Sequence, residues 1–162
     1  MARVKLDRID RQILHDLQED GRMTNVELAA KAGISAPPCL RRVRALEEAG
    51  FIRGYHADLD PEKLGFEAVF FAIIGLDSQA MERLTAFEDM VRDWPEVRAC
   101  HMVRGGGDFL LKLVAHSTAH ENQITTRLTS SPGVVRVTTF PVIRSSKELP
   151  GVPIELERVE AE

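Results

Sequence analysis

The sequence contains no apolar run long enough to cross a membrane. Its longest, Ala68–Leu76, falls well short of the roughly 20 residues that a transmembrane helix needs, and it is typical of a buried strand. The first residues meet Asp7 before an apolar core can form, so no secretory signal is expected. Only two cysteines are present, Cys39 and Cys100, and their lack of metal-type spacing favours reduced thiols. We expect a cytoplasmic protein of one or two small domains, with no membrane segment, cofactor or metal.

The chain also lacks an overall basic charge, because its formal net charge is −4. The charge is nevertheless uneven: residues 1–55 hold 10 Lys/Arg against 8 Asp/Glu, whereas residues 56–162 hold 11 against 17. Three of the basic residues lie close together, at Arg41, Arg42 and Arg44. Such a cluster on an acidic chain indicates either a local nucleic-acid footprint or a solvated helix face.

Apolar residues at helical spacing predict three short helices in the first third of the chain. The first covers residues 6–19 and the second starts at a capping box, Thr24 followed by Glu27. The third runs from Ser35 to about Glu48 and tolerates prolines in its first turn. A tight glycine-containing turn between the second and third helices is typical of a helix-turn-helix.

The third helix is predicted to have an apolar side and a basic side. The apolar stripe comprises Leu40, Val43 and Leu46. Guanidinium groups on the remaining surface suit phosphate oxygens and the O6/N7 edge of guanine. The candidate DNA-contacting residues are Ser35, Pro37, Pro38, Arg41, Arg42, Arg44 and Arg53. The alternative is an amphipathic helix whose arginines are solvated or paired with its own glutamates.

The rest of the chain predicts the order β-α-β-β-α-β. The expected strands are residues 68–76, 97–103, 109–115 and 134–143, and the expected helices are 81–94 and 118–128. This order is that of the ferredoxin-like split βαβ, in which both helices cover one face of an antiparallel sheet. The other face is apolar enough that we expect another copy of the chain to cover it.

The predicted fold class is therefore α+β, with a winged helix-turn-helix domain followed by a ferredoxin-like domain. The predicted segments are 1–55 for the helix-turn-helix, 56–66 for a linker, 67–147 for the ferredoxin-like domain and 148–162 for an acidic tail. We expect the tail to be solvated or loosely docked.

The sequence resembles the leucine-responsive regulator/AsnC ("feast/famine") family of transcription regulators over about residues 6–147. The most specific match in the first module runs from Gly33-Ile34-Ser35 through Arg42-Val43 to residues 50–55. In the second module, residues 103–109 are similar to the glycine–x–x–Asp–aromatic signature of the family, and Pro132-Gly133-Val134 matches its later turn. The run from Cys39 to Tyr55 is closer to the leucine-responsive branch.

The resemblance implies a regulator that binds double-stranded DNA as a dimer and assembles further, often to an octamer. It also implies gating by an amino acid or related metabolite that binds where the second modules of neighbouring dimers meet. Carried over by position, the effector-binding candidates are Arg104, Gly105, Gly107, Asp108 and Thr139. Glycines let backbone N–H groups approach a carboxylate, and Asp108 can hold an ammonium group. The alternative interpretations are a tight hairpin for the glycines and a turn carboxylate for Asp108.

Three positions depart from the family pattern. Arg104 replaces a small hydroxyl residue, Val137 a frequent threonine, and Ala36 a frequent proline at the start of the recognition helix. Arg104 can either bind the effector carboxylate or fill the pocket and abolish the response. The effector itself is therefore not named.

Other functions are less consistent with the sequence. Cys100 and His101 are adjacent on a predicted strand, so their side chains point to opposite faces and cannot form a nucleophile–base pair. His116 and His120 lack a third metal ligand at suitable spacing. We therefore expect no enzyme. A ligand-independent architectural DNA-binding protein remains the main alternative, and an amino-acid sensor that does not bind DNA is another.

Overall fold

The computed structural model describes residues 5–156 and divides into two compact units. One unit contains the described residues up to Asp58 together with those from Lys147 onward, and the other spans Leu59–Ser146. Each unit has an apolar core of its own. Within residues 5–156, no helix combines the length and the apolar character needed to span a membrane.

Three helices form the first unit. They are α1 (Arg8–Glu19), α2 (Asn25–Ala32) and α3 (Ala36–Glu48). Thr24 forms a capping box at the start of α2, as the sequence predicted, and Asp7 forms a second one with Asp10 at the start of α1. Ser35 occupies the N-cap position of α3, but its side chain makes no capping hydrogen bond. Gly33 ends α2 at a φ of 69°, a left-handed conformation that glycine adopts without steric cost.

The core of the first unit joins all three helices. Its buried residues are Ile13, Leu28, Ala29, Ala32, Cys39 and Leu46. A buried carboxylate lies beside it: Asp16 accepts a hydrogen bond from Gln12 Nε2 at 2.9 Å and faces Lys31 Nζ at 3.9 Å. Because Lys31 belongs to α2, this pair adds a polar contact between the first two helices.

The second unit contains a four-stranded antiparallel sheet and two helices. Its elements are β1 (Ala68–Leu76), α4 (Met81–Arg92), β2 (Val97–Met102), β3 (Phe109–Ala115), α5 (Thr118–Thr129) and β4 (Val134–Pro141). The strand order is β2-β3-β1-β4, and every neighbouring pair is antiparallel. This order confirms the predicted α+β fold with a βαββαβ second module.

The two faces of the sheet differ in burial. On β1, Phe70, Ala72 and Ile74 are fully buried in the core with α4 and α5, whereas Val69, Phe71 and Ile73 on the other face are half-buried. Cross-strand pairing extends this second face onto β3 and β4. We call it the open face, and its apolar residues are Val69, Phe71, Ile73, Leu110, Val114 and Phe140.

Some predicted boundaries move by one or two residues. Helix α1 starts at Arg8 because Asp7 serves as its cap. Helix α4 ends at Arg92, before Pro95, since the residue preceding a proline disfavours helical backbone. The linker contains a short 3-10 turn at Glu62–Leu64, which Gly65 closes at a φ of 81°. These differences leave the order of elements unchanged.

The acidic C-terminal segment contacts α1. The side-chain amide of Gln18 donates to the Val152 carbonyl at 2.8 Å and accepts from the Val152 N–H at 3.0 Å. Both bonds lie at exposed positions. Within the described residues, the segment is therefore docked through backbone hydrogen bonds, and the acidic side chains play no part in these two bonds.

The burial of β3 beneath the helices predicts a specific loss of stability. Leu111 has no exposed surface, so Leu111→Ala should lower the free energy of unfolding by about 2–5 kcal/mol through lost packing and an internal cavity. Met81, which is 72% exposed at the start of α4, provides a control of similar side-chain size. Met81→Ala should cost about 0.5 kcal/mol or less in urea denaturation. Equal losses for the two variants would contradict the assignment of the core.

Candidate DNA-binding and effector-binding sites

Helix α3 buries a different stripe from the predicted one. Leu40 is 40% exposed, whereas its neighbour Cys39 is fully buried. The prediction that Leu40 belongs to the buried stripe is therefore wrong, and the stripe runs through Cys39, Val43 and Leu46. The physical reason is that a thiol packs as a small apolar group, which the sequence pattern did not weigh. Burial accordingly raises the pKa of Cys39.

The three arginines of α3 have different surroundings. Arg41 and Arg44 are exposed to solvent. Arg42 is held by the start of α1, where its Nη1 donates to Asp7 Oδ2 and to Asp10 Oδ1, both at 2.7 Å. Arg42 therefore ties α3 to α1, and the other two guanidinium groups are the ones that α3 presents to solvent.

This ion pair changes the acidity of Asp7. Partial burial raises the pKa of Asp7, but the hydrogen bonds from the Asp10 N–H and from Arg42, together with the charge of Arg42, lower it by a larger amount. The pKa of Asp7 therefore lies below its ordinary value. The carboxylate is charged throughout the neutral range and remains paired with Arg42.

The remaining DNA candidates lie at the two ends of α3. Ser35 and Pro37 are exposed at its start, and Pro38 is half-buried. The side chain of Asn25 donates to the Ala36 carbonyl at 2.8 Å, a contact between α2 and α3 that sequence reasoning missed. Arg53 is exposed in the segment after α3.

The segment that carries Arg53 folds back onto the end of α3. Tyr55 Oη donates to Glu47 Oε1 at 2.9 Å, and the Phe51 N–H donates to the Leu46 carbonyl at 2.9 Å. Burial and the hydrogen bond to Glu47 raise the pKa of Tyr55 to about 12, so its hydroxyl stays protonated as a donor. The tyrosine thus fixes the path of residues 51–55 beside the last turn of the helix.

A cleft of about 330 Å³ opens beside the loop between β2 and β3. Its lining consists of Gly75, Leu76, Gln79, Gly105, Gly107, Asp108, Val135 and Arg136. The structure therefore brings together three of the predicted effector residues, namely Gly105, Gly107 and Asp108. Arg104 is exposed outside this lining. Thr139 also lies outside it and pairs with Ala72, so its side chain is on the helix-covered side of the sheet.

The glycines of the loop allow a close approach to β1. A Cβ atom at Gly107 would overlap with Ile73 Cγ2 and would lie 2.9 Å from the Ile74 carbonyl oxygen. Gly105 has a φ of 132°, a conformation that residues with a Cβ atom rarely adopt. The hairpin interpretation of these glycines thus has a direct steric basis, and the same geometry leaves their backbone open to the cleft.

Asp108 fastens the loop to the end of β1. Its Oδ2 accepts from the Leu76 N–H at 2.7 Å, and its Oδ1 accepts from Gln79 Nε2 at 3.0 Å. The Asp108 N–H also donates to the Ile74 carbonyl at 2.8 Å. Asp108 therefore has a turn-stabilising role, and its carboxylate still places a negative charge in the cleft.

Sequence reasoning missed Arg136, which is the arginine that lines the cleft. It lies on β4 opposite Gly75 of β1, and its Nη2 donates to the Gly106 carbonyl. The sequence feature that could have indicated this arginine is Gly75, which interrupts the apolar run of β1 and leaves room above the strand. Finding it required the register between β1 and β4, which composition does not give.

The residues considered for catalysis are Cys100, His101, His116 and His120. Cys100 pairs with Leu111 and His101 with Leu110, so the two side chains lie on opposite faces, as predicted. Burial and the nearby charge of Glu88 raise the pKa of Cys100 to about 11, which keeps the thiol protonated. His116 Nδ1 bonds to the Gly65 carbonyl at 2.7 Å.

The other histidine lies beside a carboxylate. His120 Nε2 is 3.6 Å from Glu96 Oε1, and its ring stacks on that of His116 with 5.5 Å between centroids. In the part of the chain that the structure describes, no three His, Cys, Asp or Glu side chains are grouped to hold a metal ion.

Comparison with known proteins identifies two protein families that this chain matches. Residues 69–152 match the family described as Lrp/AsnC ligand binding domain, and residues 6–53 match the winged helix-turn-helix DNA-binding family. The leucine-responsive regulatory protein of Rhizobium meliloti is 50% identical over 149 residues, which cover 91% of this chain and 96% of that one. That of Escherichia coli is 42% identical over 144 residues, covering 88% of each chain.

Two solved structures share the fold over nearly the whole chain. A transcriptional regulator of Neisseria meningitidis in complex with L-Met has a TM-score of 0.87 at 35% identity, covering 92% of this chain and 97% of that one. An AsnC family transcriptional regulator of Agrobacterium tumefaciens has a TM-score of 0.85 at 33% identity, covering 91% and 97%.

The pairing of Arg42 predicts a loss of stability that its neighbour does not share. Arg42→Gln should lower the free energy of unfolding by about 1 kcal/mol, because it leaves Asp7 and Asp10 without their cation. Arg41→Gln, at an exposed position on the same helix, should change it little. Urea denaturation measures both.

The same variants predict a dependence on pH. Because folding lowers the pKa of Asp7, the stabilisation is complete above the ordinary carboxyl pKa of about 4 and is lost as pH falls through the lower folded-state value. The difference between wild type and Arg42→Gln should therefore shrink on acidification. A difference of the same size at strongly acidic pH would contradict the ion pair.

Proposed function

Because the chain belongs to the Lrp/AsnC family of DNA-binding transcription regulators, we propose that α3 enters the major groove and that the cleft binds an amino-acid effector. The observation that carries the first part is the exposure of Arg41 and Arg44 on a helix that Arg42 fixes to α1. The observation that carries the second is the glycine loop, which exposes backbone beside Asp108.

The DNA interface is proposed as follows. Arg41 and Arg44 contact phosphates and base edges, since guanidinium groups suit both. Arg53 contacts a flanking phosphate, and residues 35–38 at the start of α3 lie nearest the groove floor. Arg42 orients the helix through its carboxylate partners and reaches DNA only through its remaining N–H groups. Two such helices in a dimer require half-sites separated by about 10 bp or a multiple of it.

The effector site is proposed around Gly105, Gly107 and Asp108. Support comes from the ligand-binding family match over residues 69–152 and from the L-Met complex of the Neisseria meningitidis relative. Both favour effector binding over the ligand-independent architectural alternative. Arg104 lies outside the cleft of a single chain, so we propose that it contacts an effector only where a second copy completes the site. Thr139 is left out of the proposed site, because its side chain lies on the helix-covered side of the sheet.

We also infer an assembly and a cellular setting. The apolar open face supports a homodimer, and dimers of dimers up to an octamer are proposed on the family resemblance. A transcription regulator acts where the chromosome is, which supports a cytoplasmic location. Absence of catalysis is inferred from the protonated Cys100 thiol and from the structural contacts of His116 and His120.

Binding to the DNA upstream of its own gene tests the interface. Arg41→Gln combined with Arg44→Gln should weaken specific binding by about tenfold to a hundredfold in fluorescence anisotropy, because two cations leave the interface. Arg98→Gln, which removes an exposed cation from the second unit, is the matched control and should leave the affinity unchanged. Equal weakening by both changes would contradict the assignment of α3.

The same titration, repeated with pooled amino acids, tests the gating. We expect the apparent affinity for DNA or the mass of the complex to change, because an effector that binds between dimers favours one assembly over another. Tight DNA binding without any amino-acid effect would support the architectural alternative instead.

A further inference from the structure

An arginine lies over the backbone of a neighbouring strand at the cleft. Arg136 of β4 is paired with Gly75 of β1. A Cβ atom at Gly75 would lie 3.3 Å from Arg136 Cβ and 3.4 Å from its Nε. The arginine stem therefore rests against the glycine, at a separation that a larger residue would disturb. Because Gly75 has no side chain, the Arg136 side chain can lie across β1 and reach the β2–β3 loop.

The charge of this guanidinium is not matched by a carboxylate. Its Nη2 donates to the neutral carbonyl of Gly106, and no ion pair of Arg136 occurs among the residues that the structure describes. A guanidinium has five N–H donors, so most of its hydrogen-bonding capacity remains available. Arg136 is exposed, and an anion entering the cleft from solvent can reach it.

The carboxylate of the cleft, that of Asp108, is held in place by hydrogen bonds. Asp108 accepts hydrogen bonds from the Leu76 N–H and from the side chain of Gln79, which orient both carboxylate oxygens. The cleft therefore carries one held anion and one cation with a neutral partner. This charge pattern is complementary to a zwitterion, and the apolar side chains of Leu76 and Val135 lie beside it.

We propose that Arg136 is a specificity-determining residue that binds the carboxylate of an α-amino acid with an apolar side chain. The proposal rests on the proposed function, in which this cleft is the effector site. On binding, the guanidinium exchanges the Gly106 carbonyl for the effector carboxylate, because a carboxylate carries the opposite charge and can accept two parallel hydrogen bonds from a guanidinium, whereas the carbonyl is neutral. Asp108 receives the ammonium group, and the apolar side chain contacts Leu76 and Val135.

The opposite role for Arg136 leads to an opposite prediction. If the guanidinium merely fills the cleft, then removing it opens space and strengthens binding. If it binds the carboxylate, then removing it weakens only those ligands that carry a carboxylate. Amino-acid amides separate the two roles, because they keep the ammonium group and the side chain but lack the negative charge.

Calorimetry on the full chain with L-leucine, L-methionine and their carboxamides tests the proposal. Wild type should bind at least one free amino acid about tenfold or more tightly than its amide. Arg136→Gln should weaken binding of the free amino acid by a similar factor and leave the affinity for the amide unchanged. The affinity of Arg136→Lys for the free amino acid should lie between those of wild type and Arg136→Gln, since lysine keeps the charge but loses the bidentate contact. Arg98→Gln, which removes an exposed arginine of β2 that does not line the cleft, is the matched control and should change the affinity for neither ligand.

The outcomes separate this proposal from the proposed function. If wild type binds an amino acid and Arg136→Gln binds it equally or more tightly, the role of Arg136 is wrong and the effector site stands. If neither protein binds any amino acid, both the role and the effector site are wrong. Unchanged DNA affinity and thermal unfolding of Arg136→Gln show that the variant is folded, since its side chain is exposed at an edge strand.

Discussion

The sheet of the second unit carries large apolar side chains on both faces, and the two helices of that unit bury only one of those faces. Phe70, Ile74 and Leu111 lie beneath α4 and α5, whereas Phe71, Leu110 and Phe140 line the open face. Apolar surface left in water costs roughly 25 cal/mol per Å², so a face of this kind favours a partner of the same shape. In the proposed homodimer, a second copy of the chain is this partner and also supplies the second recognition helix that a two-fold DNA site requires.

The same sheet positions the candidate effector cleft. Gly107 approaches Ile73 on the open-face side of β1, and Gly75 leaves room there for Arg136. Asp108 then fastens the loop to the end of β1 through Leu76. The cleft therefore borders the surface through which copies of the chain are expected to meet. An effector bound there has a direct physical means to favour one assembly over another, provided that its affinity for the two differs.

Much of the fold could be predicted from local sequence signals, and the contacts that orient side chains could not. The capping box at Thr24 and the periodicities of the helices and strands depend on residues close in the chain. Arg42, by contrast, pairs with Asp7 and Asp10, more than thirty positions away. Periodicity assigned the buried side of α3 only to within one residue, so Leu40 was chosen where Cys39 is buried. Identifying Arg136 as a cleft residue required the register between β1 and β4, and the family resemblance directed attention to Arg104 instead.

Sedimentation equilibrium of the full chain, at micromolar concentration and without DNA, most directly tests the claim that the sheet requires a second copy. The chain mass is 18.1 kDa. The structure predicts a dimer or a multiple of it, with dissociation promoted by a charge on the open face such as Phe140→Asp. A wild-type chain that sediments as a monomer under these conditions would contradict this account of the open face, and with it the proposed link between effector binding and assembly.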